Sequence, residues 1–146
     1  MSNGDTINDS PRSMRDADVW MCRRAMLGEA HIAVLTKYAA QLRERRLGEV
    51  PDFDPLDGGV DARVLFLFEK PGRMTAEAGK RAGSGFISRN NDDGTAAAMF
   101  DFMRQAGIPR SRCSAQNRWH SSPHAIPRQL LGRACGNAGT RSHRTG

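Results

Sequence analysis

Cysteine is scarce in this sequence, and no cysteine has the spacing of a metal-binding or redox motif. The three cysteines, Cys22, Cys113 and Cys135, lie far apart and form no Cys-X-X-Cys pair. This spacing argues against a zinc ribbon and against a closely spaced iron–sulfur motif. His31 stands alone in a predicted helix, and the other three histidines follow residue 110. We therefore expect free thiols in a reducing compartment, no metal site and no cofactor.

Long hydrophobic runs are missing as well. No apolar stretch approaches the roughly 20 residues that a membrane-spanning helix needs. The N-terminal residues MSNGDTINDSPRSMRD lack the apolar centre of a secretory signal. The sequence therefore predicts a cytoplasmic protein without a membrane partner, and its 146 residues suffice for one domain at most.

Acidic residues end at Asp101, and no lysine follows that position. Eight of the 22 basic residues are arginines after Asp101, which leaves 14 basic residues against 16 acidic ones before it. The net charge of +6 therefore comes from the C-terminal segment. This distribution weakens the nucleic-acid interpretation that a basic chain invites, because the part that looks folded is not basic overall.

The central feature of the sequence is an uninterrupted apolar run, Val64–Phe68. Five apolar residues without alternation predict a strand that is buried on both faces, as in a parallel sheet covered by helices. Pro71 and Gly72 end the run too early for a helix. Glu69 and Lys70 then lie at the carboxyl end of the strand, where open α/β sheets bind ligands. The alternative is an ordinary strand exit with solvated charges.

The flanking segments predict an incomplete α/β domain. Residues 1–16 are polar and predict a disordered leader. Val19–Leu47 has an apolar helical stripe, with Gly28 as a possible break and Gly48 as a plausible end. Val50–Asp61 is rich in proline and glycine and predicts a linker.

A second helix is predicted after a long loop. Asp93 or Thr95 would cap this helix, which runs to about Gln105, and Gly107 would end it. Residues 111–146 contain no run of β-branched or aromatic residues, so they predict a disordered arginine-rich tail rather than a second strand. We hypothesise that this tail is out of frame relative to an ancestral coding sequence. The domain would then span residues 17–110.

The strand, the sequence Glu-Lys-Pro-Gly at residues 69–72 and the following GSGFISRNNDDGTAAAMFDFMRQAGIPR together resemble the uracil-DNA glycosylase superfamily. The likeness covers Ala62–Arg110 and is greatest to a bacterial branch whose first motif reads Gly-Glu-Ala-Pro-Gly. The resemblance implies a three-layer α/β/α fold with a parallel four-stranded sheet, of which this chain would lack the C-terminal half.

The resemblance also implies a chemistry. Members of this family extrude uracil from DNA and hydrolyse its N-glycosidic bond in base-excision repair, so uracil-containing DNA is the implied partner. A carboxylate orients the attacking water and stabilises the cation-like sugar, while an aromatic ring stacks on the base.

Carried over by position, Glu69 is the candidate for water activation, and a solvated loop carboxylate or a partner of Lys70 is its alternative. Phe86 matches the stacking aromatic, although a core position is the commoner fate of a single phenylalanine. Pro71 and Gly72 match the turn that approaches the base. The resemblance leaves four candidates for DNA contacts. Lys70 could contact a DNA phosphate, and its alternative is to block the pocket. The other three could contact phosphate or base, and their alternative is a solvated helix-entry loop: Ser88, Arg89 and Asn90.

The sequence departs from the family pattern in several places. Lys70 replaces a small residue and Phe68 replaces a glycine. Asn117 and the string His120–Pro123 imitate later family motifs, but they come early and no predicted strand presents them. We therefore expect this chain to release little or no uracil. The alternative function is a non-catalytic nucleic-acid binder that uses its basic tail.

Overall fold

The chain has a mixed α/β fold with short parallel sheets. The computed structural model describes residues 7–45, 49–69, 72–75 and 83–117. The helices of this part are α1 (Ala17–Ala25), α2 (Ala33–Glu44) and α3 (Gly94–Gln105), and its strands are β1 (Asp52–Phe53), β2 (Val64–Phe68), β3 (Phe86–Ile87) and β4 (Cys113–Asn117). None of the helices described is long and apolar enough to cross a membrane.

The described strands form two separate parallel pairs, β1 with β3 and β2 with β4. In the second pair Val64 lies opposite Cys113, and the register continues to Phe68 opposite Asn117. The prediction that no strand follows Ser111 is therefore wrong for Cys113–Asn117. This segment lacks β-branched and aromatic residues, so its strand depends on backbone hydrogen bonds to β2 rather than on its own propensity.

Strand β2 occupies the predicted residues, but its predicted burial on both faces is wrong over the part of the chain described. Leu67 is 53% exposed and Val64 is 37% exposed. An uninterrupted apolar run predicts a strand, but it does not establish that another layer covers both faces.

The predicted helix Val19–Leu47 is divided into α1 and α2, with the break around Gly28 that the sequence suggested. Helix α2 buries the predicted stripe of Leu35, Ala39 and Leu42. This stripe, with Ile32 just before the helix, packs with Val50, Phe53 and Ile87 in one apolar core. The predicted end at Gly48 lies outside the described residues.

The predicted linker Val50–Asp61 is instead part of the packed structure. It contains β1, and the backbone at Gly58 and Gly59 passes very close to two other segments. Gly59 has a φ of +53°, and a Cβ there would overlap the carbonyl of His31, while a Cβ on Gly58 would overlap the carbonyl of Ser111. Only glycine fits this approach without displacing backbone.

The predicted leader is also packed where it is described. Residues 7–16 contain a 3₁₀ turn, Ser13–Arg15, in which Ser13 and Met14 are buried. The backbone N–H of Met14 donates to the carbonyl of Asn90 at 3.0 Å. Burial and this long-range bond contradict disorder for these residues, because the polar composition is offset by partners elsewhere in the chain.

Helix α3 is capped by Asp93, the first of the two predicted candidates. The Asp93 side chain accepts a hydrogen bond from the N–H of Ala96 at 2.8 Å. Because this bond satisfies an otherwise unpaired helix donor, Asp93→Ala should lower the free energy of unfolding by about 1 kcal/mol in urea denaturation. Thr95→Ala, at the exposed alternative position, is the control. An equal loss in both variants would contradict the cap.

Candidate functional site

The carboxyl ends of β2 and β4 lie side by side. Phe68 is paired with Asn117, so Glu69 leaves one strand next to the end of the other. The interpretation of Asn117 as a chance imitation rested on its early position in the sequence and on the absence of a strand to present it, and the second premise is wrong. His120–Pro123 lie outside the described residues. Parallel strands bring their final residues to one sheet edge, the usual position of ligand sites in α/β folds.

Glu69 is exposed at this edge, as a group that meets substrate from solvent would be. Lys70 and Pro71 lie outside the described residues, so their predicted roles stay predictions. Gly72 is exposed and lines a cavity that begins beside Phe68.

This cavity lies between the β2–β4 pair and α3 and has a volume of about 150 Å³. Phe66 and Phe68 line it from the sheet, and Met99 and Met103 line it from the helix. Asn91 and Asp57 contribute polar groups. A cavity of about this size is large enough for a single six-membered ring.

Phe86 does not offer a stacking surface. Its side chain is 0% exposed in β3, and the guanidinium of Arg24 lies 5.7 Å from the ring centroid. A base can stack only on an accessible ring face, so in this structure the core position weighed for Phe86 is the one observed. Its neighbour Ile87, rather than Phe86 itself, lines the cavity.

The three described DNA-contact candidates are engaged within the protein. Ser88 donates to the carboxylate of Asp54, and both Ser88 and Asn90 are buried. Arg89 donates to Asp9 at 2.7 Å and lies 4.7 Å from the ring centroid of Phe100. They are therefore not solvated loop residues, and most of their polar groups already have partners within the protein, although the buried Nε of Arg89 has none among the described residues.

These partners belong to a buried ion cluster centred on Arg110. Its Nη2 donates to Asp54 at 2.5 Å and its Nε donates to Asp57 at 2.8 Å. Its Nη1 donates to Asn90 at 2.5 Å and also to Asp9. One guanidinium therefore joins the leader, the segment before β2 and the turn before α3.

The cluster changes the ionisation of its members. Burial raises the pKa of Asp57 to about 7; Arg110 opposes this increase and the Asp54 carboxylate adds to it. Burial alone would raise the pKa of Asp9, but Arg110, Arg89 and Asn90 outweigh it and lower that pKa. Burial alone would lower the pKa of Arg110, whereas its three carboxylate partners raise it. Asp57 is thus closer to neutrality at pH 7 than Asp9.

Sequence reasoning missed Arg110 and the aspartates as a site. The available signal was the concentration of aspartates at 52, 54, 57 and 61 in a segment that looked like a linker. Aspartate also favours turns, so this signal does not separate a loop from a buried ion cluster.

No group of three or more potential ligands suited to a metal ion occurs among the described residues. Comparisons with protein-family models, curated proteins and solved structures gave no match for the chain. The function of the site is therefore inferred from its own geometry and from the motif at residues 69–72.

Proposed function

We propose that the carboxyl ends of β2 and β4 form the base-binding site of a uracil-DNA glycosylase-like protein of base-excision repair. The observation that carries the proposal is the register pair of Phe68 and Asn117. In the family that residues 69–72 resemble, a carboxylate follows one strand and a base-reading asparagine ends the next. Glu69 and Asn117 occupy these two places.

The adjoining cavity supports the same proposal. Its volume of about 150 Å³ suits one pyrimidine ring. Phe68, which precedes the motif at residues 69–72, and Gly72, which ends it, both line the cavity. Phenylalanine and methionine side chains form the apolar walls of the cavity, and flipped bases bind in pockets with walls of this kind. Glu69 is the group that would orient a water toward the sugar and stabilise its positive charge. The proposal also includes the fold that the resemblance implies, which is a three-layer α/β/α arrangement with a single parallel sheet.

A uracil-release assay tests the role of Glu69. We expect little release from single-stranded DNA, at a rate that needs single-turnover experiments to measure, because Phe86 has no exposed face to stack on the base. Glu69→Gln should lower the rate by about 100-fold, the lower range of a lost general base. Glu49→Gln, at another exposed glutamate, is the matched control. A rate that is unchanged in Glu69→Gln would contradict the assignment.

Binding provides a second measurement that needs no catalysis. Fluorescence anisotropy should show tighter binding of an oligonucleotide that contains uracil than of one that contains thymine, and Asn117→Ala should remove the difference. Equal binding of both oligonucleotides by the wild-type chain would contradict a uracil site. If deletion of residues 118–146 abolished that equal binding, the basic-tail alternative would be supported instead.

A further inference from the structure

The carboxylate of Asp9 is held by three donor residues from two places in the chain. Arg89 Nη2 donates to Oδ2 at 2.7 Å, and Asn90 Nδ2 donates to Oδ1 at 3.0 Å. Arg110 Nη1 donates to Oδ1 as well. Two guanidiniums and an amide that converge on two oxygens form the kind of site that binds carboxylate or phosphate.

These donors are positioned by contacts that do not involve Asp9. Arg110 is fixed by Asp54 and Asp57 at 2.5 and 2.8 Å. The backbone N–H of Asn90 donates to Ser88 Oγ at 3.0 Å. The Arg89 guanidinium packs 4.7 Å from the ring centroid of Phe100. The site should therefore keep its shape when the carboxylate leaves, which lowers the cost of binding another anion.

Burial and charge indicate that the position of Asp9 opens toward solvent. The Asp9 side chain is 33% exposed, whereas the side chains of Arg110 and Arg89 are 8% and 12% exposed. Without Asp9, the carboxylates of Asp54 and Asp57 would be the described acidic groups that face three guanidiniums, those of Arg23, Arg89 and Arg110. The vacated position would then carry net positive charge at the protein surface, and an anion would compensate it.

The segment that carries Asp9 is fastened on both sides of this position. The carbonyl of Asn8 accepts from Arg23 Nη2 at 2.7 Å, and Arg12 forms an ion pair with Asp92 at 2.9 Å. These contacts hold the leader across the turn before α3. We propose that Arg89, Asn90 and Arg110 form a phosphate-binding site that Asp9 occupies in cis, so that the leader and a phosphate group compete for it.

The competition predicts a gain of phosphate binding when Asp9 is replaced. In thermal unfolding, Asp9→Ala should be stabilised by inorganic phosphate, and the effect should saturate. The apparent Kd should be lower than that of the wild-type chain by about tenfold or more, because the wild-type site is already occupied. Sodium chloride at the same ionic strength corrects for screening. Asp61→Ala, at an exposed aspartate, should respond like the wild-type chain.

Adding Arg89→Gln to Asp9→Ala separates this site from general anion binding. The double variant should lose the saturable response, because one of the two guanidiniums that grip the anion is gone. An Asp9→Ala variant that responds to phosphate no more than to chloride would overturn the proposal. An undiminished response in the double variant would show an adventitious ion only, and would overturn it too. If Asp9→Ala does not fold in chloride, recovery of folding in phosphate is the readout, and its absence counts against the site.

A second arm distinguishes free phosphate from the phosphates of nucleic acid. A 12-residue oligothymidylate should bind Asp9→Ala more tightly than the wild-type chain, and inorganic phosphate should displace it if both use this site. Stabilisation by phosphate without tighter binding of the oligonucleotide would assign the site to a free phosphate ligand. Neither result depends on uracil recognition, so this proposal and the proposed function can fail separately.

Discussion

Arg110→Leu is expected to lower the free energy of unfolding by about 3–5 kcal/mol, the usual cost of breaking a buried ion pair. Arg110 is 9% exposed and donates to Asp54, Asp57 and Asp9. Leucine is apolar and provides no donor, so two buried carboxylates lose their principal partner. Urea denaturation at neutral pH measures the loss.

Arg112 provides a matched control for this variant. It lies in the same 3₁₀ turn, Arg110–Arg112, but it is exposed, so Arg112→Leu should change stability by less than about 0.5 kcal/mol. Adding Asp54→Asn to Arg110→Leu should recover part of the loss, since one stranded charge is removed. Equal effects at both arginines, or no recovery, would show that the cluster does not hold the leader and the turn before α3 together.

The parts of the fold that could be predicted are those with a strong local signal. The uninterrupted apolar run predicted β2 to the residue, and Asp93 and Gly107 marked the two ends of α3. In each case one short segment contains the signal: an apolar run ended by Pro71 and Gly72 for the strand, a side-chain acceptor for the helix start, and a left-handed residue for its end.

Strand β4 shows why the remainder could not be predicted in the same way. Its sequence, Cys-Ser-Ala-Gln-Asn, contains no residue with high strand propensity. It becomes a strand because β2 lies beside it, and that contact spans about 50 residues of sequence. The sequence alone therefore does not place Asn117 at the end of a strand, although its position beside Phe68 is the main support for the proposed base site.

The ion cluster could not be predicted from the sequence for a related reason. Asp9 lay in a polar leader, and Asp54 and Asp57 lay in a segment with the composition of a turn. The local sequence gives each aspartate an ordinary explanation. Their common role is to bind Arg110, which lies 53 residues from Asp57 and 101 residues from Asp9 in the sequence. A pattern read within a window of 10 to 20 residues cannot report a partner at that distance.

Asp57 should make the folded protein less stable as the pH rises. An aspartate in an exposed ion pair has the opposite effect, because its pKa is lowered in the folded state. Burial raises the pKa of Asp57 to about 7, from an ordinary value of 3.8. The folded state therefore binds a proton that the unfolded state has lost, and the resulting stabilisation is complete below about pH 3.8. It is lost as the pH rises to about 7. With about 1.36 kcal/mol for each pKa unit, the contribution of Asp57 is at most about 4 kcal/mol.

Asp57→Asn tests this because asparagine is neutral at every pH and its carbonyl can still accept from Arg110. Urea denaturation of both proteins at pH 4.5, 5.5, 6.5 and 7.5, at constant ionic strength, isolates the contribution of Asp57. The wild-type chain should lose stability relative to Asp57→Asn as the pH rises through this range. Asp9, whose pKa is lowered, affects stability only below about pH 4 and in both proteins alike.

A difference that stays constant from pH 4.5 to 7.5 would show that Arg110 keeps Asp57 ionised in the folded protein. Asp57 would then be a permanent counter-charge to Arg110, and the phosphate site would have less positive charge to offer.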